Sequence, residues 1–168
     1  MKRRPLGIAR EEELAGQGVS YCAVCDGAFY KGQDVAVVGG GNTALEDALF
    51  LASYCRKVTL VHRRESFRAE QRLIDQARKR ENIEFVLGAV IDALEGEDSF
   101  SGIRLKMSDG ALVHCAVAGL FVAVGQIPQN ERFSDRVVLD DTGYIVAGED
   151  CKTSVPGIFA AGDCRAKQ

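Results

Sequence analysis

The sequence predicts an α/β fold built on a parallel central sheet, and three observations carry that prediction. The run Asp34-Val35-Ala36-Val37-Val38 is short, apolar and rich in β-branched residues; it leads directly into Gly39-Gly40-Gly41 and then a helical pattern from about Thr43 to Tyr54. A second buried-type strand, Lys57–His62, follows at once, so strand, helix and strand close a βαβ unit of about 30 residues. Ile83–Leu87 reads as a third strand, and Leu120–Val124 has the unbroken apolar character of another central parallel one.

The remaining elements follow in order. Residues 1–20 show no clear periodicity and are punctuated by Pro5, Gly7, Gly16 and Gly18, so they read as a connection. Ser66 to Arg80 is a helix candidate, with Phe67, Leu73, Ile74 and Ala77 on its apolar face. Three short strand-like pieces come after the third strand: Ala89–Leu94, Gly102–Met107 and Leu112–Ala116. Polar turns separate them, and the Asp109-Gly110 pair is a hairpin signal, so an inserted antiparallel β-meander is expected. Val137–Leu139 and Tyr144–Val146 flank Asp140-Asp141-Thr142-Gly143 as a second hairpin, and Pro156–Asp163 reads as a turn, a short strand and a glycine-acid end.

Bulk properties exclude several classes. The hydrophobic share of 46% is enough to build a core, and 168 residues suit one domain or slightly more. A net charge of −3 gives no footprint for nucleic acid or an anionic membrane. No apolar run reaches the ~20 residues of a membrane span. Met1-Lys2-Arg3-Arg4 is basic, but no apolar h-region follows, so no signal peptide is expected. Six cysteines in such a chain point to a reducing, cytoplasmic compartment.

Gly39-x-Gly41-x-x-Ala44 fits the G-x-G-x-x-G/A dinucleotide fingerprint. The first glycine permits a sharp turn, the second lets backbone approach a pyrophosphate, and the small Ala44 lets the helix pack close. Together these features give a Rossmann-like, three-layer NAD(P)-binding domain. An NAD site of this kind expects an acid near the end of the second strand, to bind the ribose 2′-hydroxyl. Here that strand ends in His62-Arg63-Arg64, with Arg68 four residues further on. Guanidinium forks match a 2′-phosphate, so the pattern selects NADP(H) over NAD(H). The alternative is a solvated basic turn. His62 is read as a structural or ribose-side residue rather than a base.

Cys22-Ala23-Val24-Cys25 has the spacing of a redox dithiol. Zinc is the rival, but it needs two further ligands; Cys55, Cys115, Cys151 and Cys164 form no second C-x-x-C, so no metal site is expected. Asp26, next to the pair, is a candidate general acid or else a turn residue before Gly27. Hydride chemistry and disulfide chemistry are usually joined by a flavin, so a flavin site is expected as well.

These residues resemble the pyridine-nucleotide domain of the low-molecular-weight thioredoxin reductases. The motifs that carry the resemblance are Gly18–Gly27, Val37–Ala44, His62–Ala69 and Gly157–Asp163, in the family's order and spread over nearly the whole chain. The resemblance implies electron transfer from NADPH through FAD to a C-x-x-C disulfide and on to thioredoxin, in a homodimeric parent. It makes Cys25 the flavin-side sulfur, Cys22 the interchange thiol and Asp26 the proton donor and acceptor. By the same resemblance Gly39, Gly40, Gly41, Asn42, Thr43 and Ala44 form the pyrophosphate loop, and Glu46 lies near the nicotinamide. Arg63, Arg64 and Arg68, beside His62, contact the 2′-phosphate; Gly125 belongs to a nucleotide-side loop and Asp163 to a late FAD motif.

The sequence also departs from that pattern. The family's flavin-binding half opens with its own glycine fingerprint, which these 168 residues do not contain. Ala9-Arg10 stands where the family's hinge carries Pro-Gly, and Gln129 intervenes between Pro128 and Asn130. The expected organisation is therefore 1–17 as a hinge from an absent FAD domain, 18–130 as the NADPH-binding domain with the C-x-x-C, and 131–168 as linker strands plus a partial C-terminal FAD-domain segment. Such a piece is expected to bind NADPH and to be inactive alone. Two other readings stay open: the related alkyl hydroperoxide reductase flavoprotein, which the His-Arg-Arg run weighs against, and a non-catalytic nucleotide-binding or zinc-stabilised module.

Overall fold

The computed structural model describes residues 2–166. Met1 of the 1–17 segment and the last two residues of the 131–168 segment lie outside the described residues. In chain order the strands are β1 (Lys2–Arg3), β2 (Val19–Ser20), β3 (Asp34–Gly39), β4 (Lys57–His62), β5 (Ile83–Leu87), β6 (Ala89–Glu95), β7 (Gly102–Met107), β8 (Leu112–Cys115), β9 (Gly119–Ala123) and β10 (Gln126–Ile127). The α-helices are α1 (Ala23–Asp26), α2 (Asn42–Leu51) and α3 (Gln71–Arg78). The chain forms two compact units. One is Pro5–Gly125; the other joins its first four residues to the segment from Gln126 onward.

In the larger unit, five strands form a wholly parallel sheet in the order β2-β9-β3-β4-β5. Successive residues of each strand face opposite sides, which sorts the apolar residues into two layers. Val35, Val37, Val58, Leu60 and Phe121 share one core with Ala44, Leu45, Ala48 and Leu51 of α2 and Leu73 and Ala77 of α3. Ala36, Val38, Val61, Leu120 and Val122 share the other with Ile91, Leu94, Ile103 and Leu105 of the meander. The layers are therefore helices, parallel sheet and a three-stranded antiparallel sheet β6-β7-β8. The expected meander is present, and it covers the face that crossover helices would otherwise cover.

Several elements differ from expectation. The first twenty residues supply β2, whose Val19 and Ser20 pair with Leu120 and Phe121 at the sheet edge. A two-residue strand has no period to detect, and its partner lies about a hundred residues away. The helix expected over Ser66–Arg80 is limited to Gln71–Arg78. The residues before it are held elsewhere, with the Arg68 N–H donated to the Gly40 carbonyl (2.8 Å) and the Glu70 N–H to Asn42 Oδ1 (2.8 Å). The helix after the glycines ends at Leu51; Ser53 and Tyr54 reach back only three residues, to Phe50 and Leu51, in a tighter final turn.

In the smaller unit, β1 pairs antiparallel with β10. The hairpin expected around Asp140–Gly143 is reduced to one antiparallel bridge, Leu139 to Ile145. Asp140 organises its turn, since its Oδ1 accepts the N–H groups of Thr142 (2.8 Å) and Tyr144 (2.9 Å) and the Thr142 hydroxyl (2.8 Å). The short strand expected near Ile158 is likewise a single bridge, Phe159 to Lys152. Val137, Ile145 and Ala160 form this unit's small core.

Candidate functional site

The three glycines after β3 serve different needs. A Cβ on Gly39 would strike the Ala123 carbonyl oxygen of the neighbouring strand and come within 2.7 Å of the Ala44 Cβ. Glycine there lets α2 pack hard against β3 and β9, and Ala44 is fully buried. A Cβ on Gly40 would overlap the imidazole of His62. A Cβ on Gly41 would meet nothing within 4 Å. Packing therefore does not demand glycine at position 41. The open space lies at the N-cap of the ten-residue α2, where the helix dipole favours an anion. The site fits a pyrophosphate approaching closely along backbone. Asn42, Thr43 and Glu46 are exposed around it.

β4 delivers the second half of the site. His62, at its tip, is 8% exposed and stacks on Phe67, with ring centroids 5.3 Å apart. Its Nε2–H is donated to the Ser66 carbonyl (3.1 Å). Burial lowers its pKa, and the charges of Arg63, Arg64 and Arg68 act in the same direction, against the Ser66 bond. Those three arginines are exposed. Among the described residues none of them has an ion-pair partner. Glu65 does not neutralise them; its carboxylate lies over Gly88 at the start of the meander. Backbone and side-chain bonds draw this arginine loop to the glycine turn, through Arg68 to Gly40 and Glu70 to Asn42.

The dithiol is a disulfide between Cys22 and Cys25. Cys22 caps α1, with its sulfur accepting the Cys25 N–H (3.2 Å). Cys25 is exposed and Cys22 half-buried. Asp26 follows directly, and its Oδ2 accepts the Ser20 hydroxyl at 2.6 Å. The same hydroxyl oxygen accepts the Cys22 N–H (3.1 Å). Val24 and Phe29 expose 72% and 78% of their surface beside the pair. Of the other predicted residues, Gly125 is exposed in a left-handed turn (φ 99°) after β9, and Asp163 lies in an exposed 3₁₀ turn, Gly162–Cys164, of the smaller unit. Among the described residues no three His, Cys, Asp or Glu side chains gather where they could hold a metal ion.

A family model for the pyridine nucleotide-disulphide oxidoreductases matches residues 1–168. The chain belongs to this family. It is 46% identical over 168 residues to the thioredoxin reductase of Listeria monocytogenes, across 99% of this chain and 53% of that protein. A thioredoxin reductase of Mycolicibacterium smegmatis is also 46% identical, over 95% of this chain and 52% of its own length. Among solved structures, Lactococcus lactis thioredoxin reductase superposes with a TM-score of 0.93 at 40% identity, over 99% of this chain and 56% of that one. The thioredoxin reductase of T. acidophilum gives 0.93 at 33% identity, over 100% of this chain and 56% of that one. The chain spans about half the length of the relatives it matches.

Two residues with little sequence signal, Ser20 and Glu70, are placed at the site by the fold. Ser20 is buried on β2 and ties Asp26 to the Cys22 backbone. Its one signal is a serine two positions before the first cysteine. Glu70 reaches Asn42 across 28 residues and has no sequence signal of its own. Asp47, half-buried on α2, has its pKa pushed up to about 6 by burial and by the charge of neighbouring Glu46. No helix among the described residues is long and apolar enough to cross a membrane.

Proposed function

We propose that this chain is the NADPH-binding, disulfide-bearing part of a thioredoxin reductase-like flavoenzyme. One observation carries the nucleotide reading: three exposed arginines without carboxylate partners stand at the tip of β4, hydrogen-bonded through their loop to the glycine turn. Gly41 and the start of α2 would hold the pyrophosphate, and Arg63, Arg64 and Arg68 the 2′-phosphate. NADPH held there would supply a hydride, and a flavin in the parent protein would pass its electrons on to sulfur. His62 holds the arginine loop from beneath rather than exchanging protons.

The Cys22–Cys25 disulfide, taking up two electrons and two protons, opens to two thiols. The Cys22 thiolate then attacks a thioredoxin disulfide, forming a mixed disulfide and releasing one partner sulfur as a thiolate. Cys25 attacks Cys22, restoring the intramolecular disulfide and releasing the second partner sulfur. Asp26, oriented by Ser20, moves the protons. The exposed Val24 and Phe29 supply apolar contact beside the sulfurs. The same reading carries a homodimeric, cytoplasmic parent with neither nucleic acid nor membrane as partner. It makes the 168 residues competent for NADPH but not for FAD or for thioredoxin reduction unaided.

Calorimetric titration of the purified chain with NADPH and NADH, with an absorption spectrum, tests this. The expected result is preferential NADPH binding without a flavin band. Equal affinity for both nucleotides overturns the arginine assignment, and a stoichiometric flavin overturns the division of labour.

A further inference from the structure

The three arginines can read a phosphate only if their loop is held at a fixed place relative to the pyrophosphate seat. The loop has no regular structure between β4 and α3, so its position depends on its anchors. One is the Arg68 N–H on the Gly40 carbonyl, at 2.8 Å. A second is the His62 Nε2–H on Ser66. The third is reciprocal: Asn42 Nδ2 donates to Glu70 Oε1 at 3.0 Å, and the Glu70 N–H donates to Asn42 Oδ1 at 2.8 Å. Asn42 is the first residue of α2. This third anchor therefore joins the end of the arginine loop to the helix start proposed to hold the pyrophosphate.

The placement of Glu70 is informative in another way. It is the N-cap of α3, with extended ψ of 136°, yet its side chain caps nothing there. A residue at that position usually accepts a hydrogen bond from its own helix. Glu70 instead turns its carboxylate outward to Asn42, so α3 forgoes side-chain capping and the loop gains a latch.

We propose that Glu70 is a positioning residue for nucleotide selection, acting through Asn42 to hold Arg63, Arg64 and Arg68 in register with the pyrophosphate loop. This rests on the NADPH reading above and adds to it a residue that touches no nucleotide. Loosening the latch leaves the pyrophosphate seat intact, because Gly39, Gly41 and α2 are held by the sheet. It lets the arginines wander, so NADPH loses more than NADH.

The test is calorimetric titration of the wild-type chain, Glu70→Ala and Glu70→Gln with each nucleotide. Glutamine keeps an amide oxygen to accept from Asn42 and leaves the backbone donor untouched. The expected result is an NADPH affinity about fivefold weaker in Glu70→Ala, in line with loss of one hydrogen bond of ordinary net strength. NADH should weaken less than twofold, and Glu70→Gln should restore most of the preference. Unaltered preference in Glu70→Ala overturns the latch, as does an equal loss for both nucleotides or a Glu70→Gln that behaves like alanine. A wild-type chain without preference for NADPH overturns the underlying reading and the latch with it, and is told apart from the other failures by needing no variant.

Discussion

The imidazole of His62 occupies the space that a side chain on Gly40 would need. One glycine of the turn is thus dictated by a histidine 22 positions later, at the tip of the neighbouring strand. The contact welds the end of β3 to the end of β4, where the two halves of the candidate nucleotide site meet. Gly40→Ala should destabilise the chain by about 1–3 kcal/mol, the range for overpacking a tight contact. Adding His62→Ala should recover part of that loss, because the smaller residue vacates the space. Urea denaturation of the two single variants and the double variant checks this; strict additivity would show that the two positions do not compete.

Two groups give stability an opposed pH dependence. His62 has a folded pKa below its ordinary 6.5, so the unfolded chain takes up that proton first. The stability it contributes is complete above pH 6.5 and is lost as pH falls from there through its folded value. Asp47 is the reverse case, with a folded value of about 6 against an ordinary 3.8. Its buried charge costs stability above pH 6, and that cost fades as pH falls toward 3.8. Asp47→Asn should therefore raise the melting temperature at about pH 8, with the gain vanishing below 3.8. Thermal melts of wild type and variant across that range check the sign, and a gain that persists in acid would refute the assignment.

Arg63→Ala and Arg64→Ala should each weaken NADPH by about tenfold, the scale of one charge-assisted phosphate contact. NADH should change by no more than about twofold, since it lacks the 2′-phosphate. Raising salt should narrow the wild-type preference, because exposed charges are screened. Fluorescence titration of both nucleotides at low and high salt decides it. A parallel loss for NADPH and NADH would place these arginines outside the 2′-phosphate site.

The six cysteines should separate cleanly. Peptide mapping of the oxidised chain is expected to recover Cys22 linked to Cys25. Cys55 is 5% exposed, and burial raises its thiol to about 11, with Asp34 adding to the effect. It should resist alkylation at neutral pH until the chain is unfolded. A Cys151–Cys164 linkage in place of Cys22–Cys25 would contradict the dithiol assignment.

Much of the frame was legible in the chain. The βαβ unit, the meander and the fingerprint all rest on local patterns: an apolar β-branched run, a 3.6-residue period, a glycine at a turn. The C-x-x-C spacing by itself brings two sulfurs within bonding reach. Elements without a period were not legible. Val19-Ser20 becomes a sheet strand only because Leu120-Phe121 lies beside it, and Ser66–Glu70 lies outside α3, with backbone donors of Arg68 and Glu70 bonded to Gly40 and Asn42.

What the sequence determined by itself is therefore the set of chemical groups: a disulfide-forming pair, an acid beside it, a glycine turn at a helix start and a cluster of arginines. The tertiary structure decided how they are held. Ser20 meets Asp26, Glu70 meets Asn42, and His62 fills the space beside Gly40. Ser20 and Asp26 are six residues apart, joined by the turn from β2 into α1; the other two are contacts between segments brought together by the parallel pairing of β3 with β4. Parallel strands need a crossover between them, so such partners are far apart in sequence, and no local propensity or spacing can specify them.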